Sequence, residues 1–299
     1  MIKYVDELNT SDLKGKRVLL RLDLNAPIEN GVLTDTNRLE KAIDTVDFLR
    51  DKEAKIIIIA HLENKDGGNE SLVSVWDYLK GYFPVDFCQT FFTPEAIDKV
   101  LKIEDKGVLL FENVRVNPGE KANDSEFSKK ISKMADIDVN DAFSVSHRKH
   151  ASIVGIPEFL PHYGGILLRA EIEHISKAFN PTHPFVFILG GAKFDTKLPL
   201  IKKYLNTADT VFVGGALASN LFKEQGFEVG TSLVSTGDFG IKELLQDPKL
   251  KTFIDVTVTK KDGSVSFKKI NEVAADECIV DAGPETMEYL KTLLENAKT

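Results

Sequence analysis

Phe185-Val-Phe-Ile-Leu-Gly190-Gly191-Ala-Lys193-Phe-Asp-Thr-Lys197 decides how the chain is read. Phe185 to Leu189 is a short apolar run of the kind that forms a buried parallel strand. Gly190 and Gly191 end it, and without a Cβ they let a bulky ligand approach the backbone closely. Lys193 follows in the turn and Lys197 at the head of the next helix. Free N–H groups at that helix start, with two ammonium groups beside them, suit a phosphate. An ordinary strand-to-helix turn with two solvated lysines would look the same in isolation. The stretch matches neither a Walker loop nor Gly-x-Gly-x-x-Gly.

Upstream, strand-like runs alternate with helical segments: Arg17–Leu24, 36–49, Lys55–Ala60, Ser74–Tyr82, a helix opened by Thr93-Pro94, Gly107–Phe111, a helix opened by Asp124, and Ile137–Val139. Asn30-Gly31 is a turn signal. Such alternation predicts a doubly wound parallel α/β sheet, whose ligands bind beyond the carboxyl ends of the strands. Asp23, Asn25, His61, Arg115 and Arg148 all follow a predicted strand end. Each alone is a plausible surface charge or loop hydrogen bond. Their shared position predicts a pocket for a small, multiply charged anion. Arg38 stands in the first turn of a helix, where a cation opposes the dipole, and a ligand would explain it.

Gly164–Ala178 reads as one helix, ended by Asn180-Pro181. This predicts two doubly wound domains, residues 1–162 and 181–299, joined by an interdomain helix over 163–180. The second domain repeats the turn chemistry at Gly214-Gly215 after the strand Thr210–Val213. Phe253–Thr259 and Ser264–Lys269 flank the hairpin signal Asp262-Gly263, and Cys278–Asp281 is a last short strand. That domain reads as incomplete, since the chain stops after a helix where a βα pattern calls for another strand.

Composition narrows the function. The chain has 299 residues, 42% hydrophobic and 28% charged, with a formal net charge of −8. These values describe a globular protein and disfavour general binding to nucleic acid or anionic membranes, so an anion site must be a local basic cluster. The two cysteines, Cys88 and Cys278, read as isolated thiols. The longest apolar stretch, Ile56–Ala60, is too short to span a bilayer, and a cytoplasmic monomer is expected.

Taken together, the stretches resemble phosphoglycerate kinase over the whole length. They are Arg21-Leu-Asp-Leu-Asn25, Ala60-His-Leu62, Glu112-Asn-Val-Arg115, Asn140-Asp-Ala-Phe143 with His147-Arg148, Gly190-Gly-Ala-Lys193, Gly214-Gly215 and Asp281-Ala-Gly-Pro284. The resemblance implies phosphoryl transfer between ATP and the carboxylate of 3-phosphoglycerate, in glycolysis or gluconeogenesis. It implies an acid-binding N-terminal domain and a C-terminal domain for ATP or ADP with Mg²⁺, closing over the reaction. Asp23, Asn25, Arg38, His61, Asn64, Arg115 and Arg148 then fall at the acid, with Arg38, His61, Arg115 and Arg148 as its basic cluster. Gly190, Gly191, Lys193, Lys197, Gly214 and Gly215 fall at the nucleotide. Lys193, following the transferring group, and Arg38 fall in catalytic roles.

Departures from the family pattern are local. Glu63-Asn64-Lys65 replaces Gly-Arg-Pro, so one arginine is missing and Lys65 is its only nearby substitute. Ala216 replaces a third glycine, and Ile279 stands where a glycine near the adenine is common. The later Gly-Gly-Asp-Thr segment that holds the metal–nucleotide complex is not in the sequence. No residue is assigned to the metal. Asp195 is nearest, with a salt-bridge or capping role expected for it. These departures predict weak Mg-ATP binding and slow turnover, and they set against the enzyme a non-catalytic anion-binding relative on the same fold.

Overall fold

The computed structural model describes residues 2–29, 31–237 and 239–299. It divides into two compact units, one ending at His174 and one beginning at Ile175. The division falls inside the helix Ile166–Ser176.

The first unit opens with α1 (Thr10–Leu13) and β1 (Arg17–Leu22). A small antiparallel hairpin follows, β2 (Ile28–Glu29) and β3 (Val32–Leu33). Asn30 of its turn signal lies outside the described residues, and Gly31 beside it has φ 80°. Then come α2 (Asn37–Asp51), β4 (Lys55–Ile59), α3 (Val73–Leu79), β5 (Asp86–Cys88), α4 (Pro94–Leu101) and β6 (Val108–Phe111). The rest is α5 (Pro118–Lys121), α6 (Ser125–Ser132), β7 (Ile137–Asp141), β8 (His162–Gly164) and α7 (Ile166–Ser176). Six strands pair in parallel in the order β5-β6-β4-β1-β7-β8. Both faces are covered, which is why the strands read as continuous apolar runs. Leu20, Leu22, Ile56 and Ile58 pack on one face, Leu19, Ile57 and Ile59 on the other. Each such side chain contributes roughly 1.5–3 kcal/mol by leaving water.

Helix starts follow local chemistry. Thr93 Oγ1 accepts from the Ala96 N–H at 3.2 Å ahead of Pro94, and Asp124 Oδ1 accepts from the Phe127 N–H at 2.7 Å. The start of α7 is held from a distance instead. Buried Asp141, at the end of β7, accepts the Leu168 N–H at 2.8 Å and the Thr45 hydroxyl at 2.5 Å. The helix predicted over Gly164–Ala178 is shorter, and a 3₁₀ turn over Lys177–Phe179 succeeds it.

The second unit holds β9 (Val186–Leu189), α8 (Phe194–Leu205), β10 (Thr210–Val213), α9 (Ala216–Glu224), α10 (Ile241–Leu244) and β11 (Leu250–Lys251). It continues with β12 (Asp255–Thr259), β13 (Val265–Lys269), β14 (Cys278–Ala282) and α11 (Pro284–Asn296). Strands β11-β10-β9 form a parallel sheet, and β13-β12-β14 an antiparallel one that takes in the predicted hairpin. The expected buried strand at Phe185–Leu189 is instead an edge strand: among the described residues β9 pairs only with β10, and Ile188 is 47% exposed. Asp281-Ala-Gly-Pro284 has a packing reason. Asp255 accepts the Glu285 and Thr286 N–H groups at 3.0 and 2.8 Å, and a Cβ on Gly283 would lie 2.3 Å from its Cγ. Among the described residues no helix is long and apolar enough to cross a membrane.

Candidate functional site

In the first unit, chemistry gathers at the carboxyl ends of β1, β4, β6 and β7, next to the Ala151–Gly155 turn. Arg21, near the end of β1, is 1% exposed. Its Nε donates to Ser152 Oγ at 3.0 Å, its Nη1 to the Leu22 carbonyl, and its Nη2 lies 2.9 Å from His61 Nδ1. Burial pulls its pKa down to about 10, with the Glu120 and Asp23 carboxylates opposing, so it remains a cation at neutral pH. Glu120 is fully buried and accepts from both the Ser152 N–H and hydroxyl, at 2.9 and 2.6 Å.

His61 was expected to add charge to the cluster. Its burial, followed by the fields of Arg21, Arg115 and Arg148, drives its pKa to about 2, so it is a neutral imidazole. Since Arg21 can only donate, His61 Nδ1 accepts and the ring proton sits on Nε2. Half-buried His150 is pushed down as well, by burial first, with Glu120 opposing and the same three guanidiniums adding to the push.

The cationic set is therefore Arg21, Arg115 and Arg148. Asn113 turns the chain after β6: its Oδ1 accepts from the Arg115 N–H at 3.0 Å, and its Nδ2 donates to the Leu62 and Glu70 carbonyls at 2.7 Å each. The Arg115 side chain is fully buried, with Nη1 against Glu63 and, among the described residues, no hydrogen-bond partner at Nε or Nη2. Arg148 is half-buried, and among the described residues its side chain has no hydrogen-bond or ion-pair partner. Buried guanidinium donors left without an acceptor are costly unless something compensates them.

Asp23 and Asn25 sit beside this set. Asp23 Oδ2 accepts from Arg38 Nη1 at 2.9 Å and from the Ser144 hydroxyl at 2.7 Å. That ion pair supplies a partner for Arg38 inside the chain. Asn25 Oδ1 accepts from the Glu63 N–H at 2.9 Å and fixes the loop after β4. Asn64 turns inward on that loop. Its Oδ1 accepts from the Asp66 and Gly68 N–H groups at 3.1 and 2.7 Å, and its Nδ2 donates to Glu70 at 3.2 Å. Lys65 is tied by Nζ to Glu29 at 2.5 Å on the surface.

In the second unit the two glycine turns come together. The register Val213↔Leu189 aligns the ends of β9 and β10, and the Gly214 N–H donates to the Leu189 carbonyl at 2.9 Å. Gly215 has φ 60° and ψ −153°, a conformation reserved to glycine, and its missing Cβ would lie 3.5 Å from Gly191 N. Helices α8 and α9 start there, neither with a side-chain cap. The Phe194 N–H donates to Ser235 Oγ at 3.0 Å, and the buried Phe194 ring anchors that start. Lys193 is exposed and Lys197 half-buried, and neither has an ion-pair partner among the described residues. Nor does Asp195, exposed between them in the first turn of α8, make the salt bridge or cap expected of it. Among the described residues no group of three or more His, Cys, Asp or Glu is placed to hold a metal.

Sequence reasoning missed Arg21, Glu120, Ser152 and His150 as members of the cluster. Only Arg21 left a signal, its alternation with Asp23 and Asn25 in the expected strand Arg17–Leu24, of which β1 keeps the part up to Leu22.

The family model described as phosphoglycerate kinase matches residues 8–299. The phosphoglycerate kinase of Dictyoglomus turgidum is 36% identical over 312 residues, covering 99% of this chain and 78% of that protein. That of Caulobacter vibrioides is 37% identical over 308 residues, covering 98% and 78%. The solved structure of phosphoglycerate kinase from Coxiella burnetii aligns with a TM-score of 0.79 at 32% identity, covering 100% of this chain and 79% of that one. The Pyrococcus horikoshii phosphoglycerate kinase structure gives 0.85 at 26% identity, covering 99% and 79%. The chain belongs to the phosphoglycerate kinase family.

Proposed function

We infer that the basic cluster of the first unit holds the acid and the paired glycine turns of the second hold the nucleotide. The reaction is phosphoryl transfer between ATP and the carboxylate of 3-phosphoglycerate. The observation that carries the residue assignment is the convergence of three guanidiniums that keep donors free, although Arg115 is ion-paired with Glu63. Among the described residues Arg115 keeps Nε and Nη2 unpartnered, the Arg148 side chain has no partner, and the chain as a whole is acidic. A small acid carrying a phosphate and a carboxylate supplies the missing anions, with charge-assisted bonds of about 1.5–3 kcal/mol each.

Arg115 and Arg148 take the charged ends of the acid, with Arg21 and neutral His61 orienting it. Asp23 and Asn25 face its glycerate portion, and Arg38, aligned by Asp23, stabilises charge at the reacting carboxylate. Asn64 contributes by shaping the loop that carries Glu63. In the second unit the N–H groups beside Gly190, Gly191, Gly214 and Gly215, together with Lys197, hold the phosphates. Lys193 follows the phosphoryl group as it crosses. Phosphoryl transfer asks for in-line positioning and charge stabilisation rather than covalent help from the protein.

The nucleotide's Mg²⁺, when bound, neutralises charge on the phosphates. Such an ion keeps several waters and needs only one or two carboxylates beside the phosphates, so the lack of a preformed cluster does not disqualify the site. Asp195, without a partner among the described residues and adjacent to the phosphate turn, is an oxygen donor of the right class and would hold it.

Two separate titrations test the assignment. Arg148→Ala should weaken 3-phosphoglycerate binding and leave ATP binding alone, and Lys197→Ala should do the reverse. Loss of both ligands, or of neither, in either variant overturns it.

A further inference from the structure

On the first unit, α4 and α6 enclose a cleft of about 350 Å³ that shares no residue with the acid or nucleotide positions. Its two walls differ in chemistry. Helix α4 buries Ala96 and Val100 in the core and turns Ile97 and Leu101 outward, 47% and 67% exposed. These two stand four residues apart and form one stripe along the groove. Val100 and Met134, both nearly buried, close its floor. The opposite wall carries Lys130 and Lys133, both exposed.

The charges on the two helices are not matched. On α4 every lysine is neutralised locally: Lys99 with Glu95 at 3.0 Å and the neighbouring Lys102 with Asp98 at 2.7 Å. Arg17, at the cleft's end, is held by Asp136 at 2.8 Å. Lys130 and Lys133 have no ion-pair partner among the described residues. A place near the end of α6 favours cations. That accounts for the two lysines but not for the apolar wall facing them, where polar residues would cost the core nothing.

We propose that this cleft binds a soluble amphipathic carboxylate of the medium-chain fatty-acid class. The alkyl chain lies along Ile97, Leu101 and Met134, and the carboxylate faces Lys130 and Lys133. The volume falls in the range of about 300–1,000 Å³ typical of small-molecule clefts, and apolar lining with a few convergent polar groups is their usual make-up.

Isothermal titration with decanoate, kept below its micelle concentration, tests this on the full chain. The expected result is saturable binding at one site per chain. Decanol, with the same chain and no charge, should bind at least about threefold more weakly. Leu101→Asp and the double variant Lys130→Glu with Lys133→Glu should each weaken decanoate binding about tenfold or more. Their circular dichroism and 3-phosphoglycerate affinity should match the parent, since these side chains are exposed and lie outside the acid cluster. Absence of saturable binding, equal affinity for decanol, or unchanged affinity in both variants overturns the proposal.

Discussion

Arg21 Nη2 and His61 Nδ1 lie 2.9 Å apart at the buried ends of two adjacent parallel strands, which fixes His61 as a neutral acceptor beneath the cationic cluster. The unfolded imidazole takes a proton below about pH 6.5, which the folded ring refuses until about pH 2. Below pH 6.5 the unfolded state therefore binds the extra proton. The stability contribution is fully present above that pH and falls as pH drops, by up to about 1.4 kcal/mol per pH unit. Long-range ¹H–¹⁵N spectra should show His61 Nδ1 unprotonated, with no titration between pH 5 and 8. A midpoint near 6.5 would refute the neutral assignment.

Arg148 offers a clean separation of binding from folding. Its side chain has no partner among the described residues to lose, so Arg148→Ala should change unfolding free energy by no more than about 0.5 kcal/mol. Affinity for 3-phosphoglycerate should fall at least about tenfold, from one lost charge-assisted interaction. Denaturant melts and acid titrations measure the two. A large stability loss with unchanged affinity would make Arg148 structural.

Asn64 and Lys65 separate differently. Asn64→Ala removes the acceptor of two loop N–H groups and should cost roughly 1 kcal/mol. Lys65→Ala breaks only an exposed pair with Glu29, and both stability and acid affinity should hold within error. A marked drop in acid affinity for Lys65→Ala would mean that Lys65 does stand in for the missing arginine.

Gly215→Ala forces an alanine into φ 60°, ψ −153°, at about 1–3 kcal/mol. The added Cβ, 3.5 Å from Gly191 N, makes only an ordinary contact, so the cost is backbone strain. The variant should raise the KM for ATP and leave the KM for 3-phosphoglycerate unchanged. An equal rise in both would dissociate this turn from the nucleotide.

Much of this arrangement is written locally. Thr93-Pro94 and Asp124 announce their helices because each cap bonds within three residues. The alternation of Arg21, Asp23 and Asn25 reads as one side of a strand, but β1 ends at Leu22 and only Arg21 lies on it. Strands β5 and β8 escape such reading, being three residues each with no alternation to detect. Glu120 escapes too, on a four-residue helix, because its hydrogen bonds in the cluster go to Ser152, 32 positions away. The edge position of β9 depends on which strands pair, and the meeting of Gly191 with Gly215 on the register of β9 and β10. Neither is encoded in either turn. The charge state of His61 likewise comes from burial and from arginines on three other segments.

The central claim is transfer itself, and the most direct measurement is steady-state ADP formation from Mg-ATP, with and without 3-phosphoglycerate, in the parent chain and in Lys193→Ala. The account predicts ADP release that requires the acid. In Lys193→Ala, kcat should fall far more than the KM for the acid changes, because that lysine acts on the crossing phosphoryl group. Acid-independent ADP release, or a Lys193→Ala variant that turns over like its parent, would contradict it.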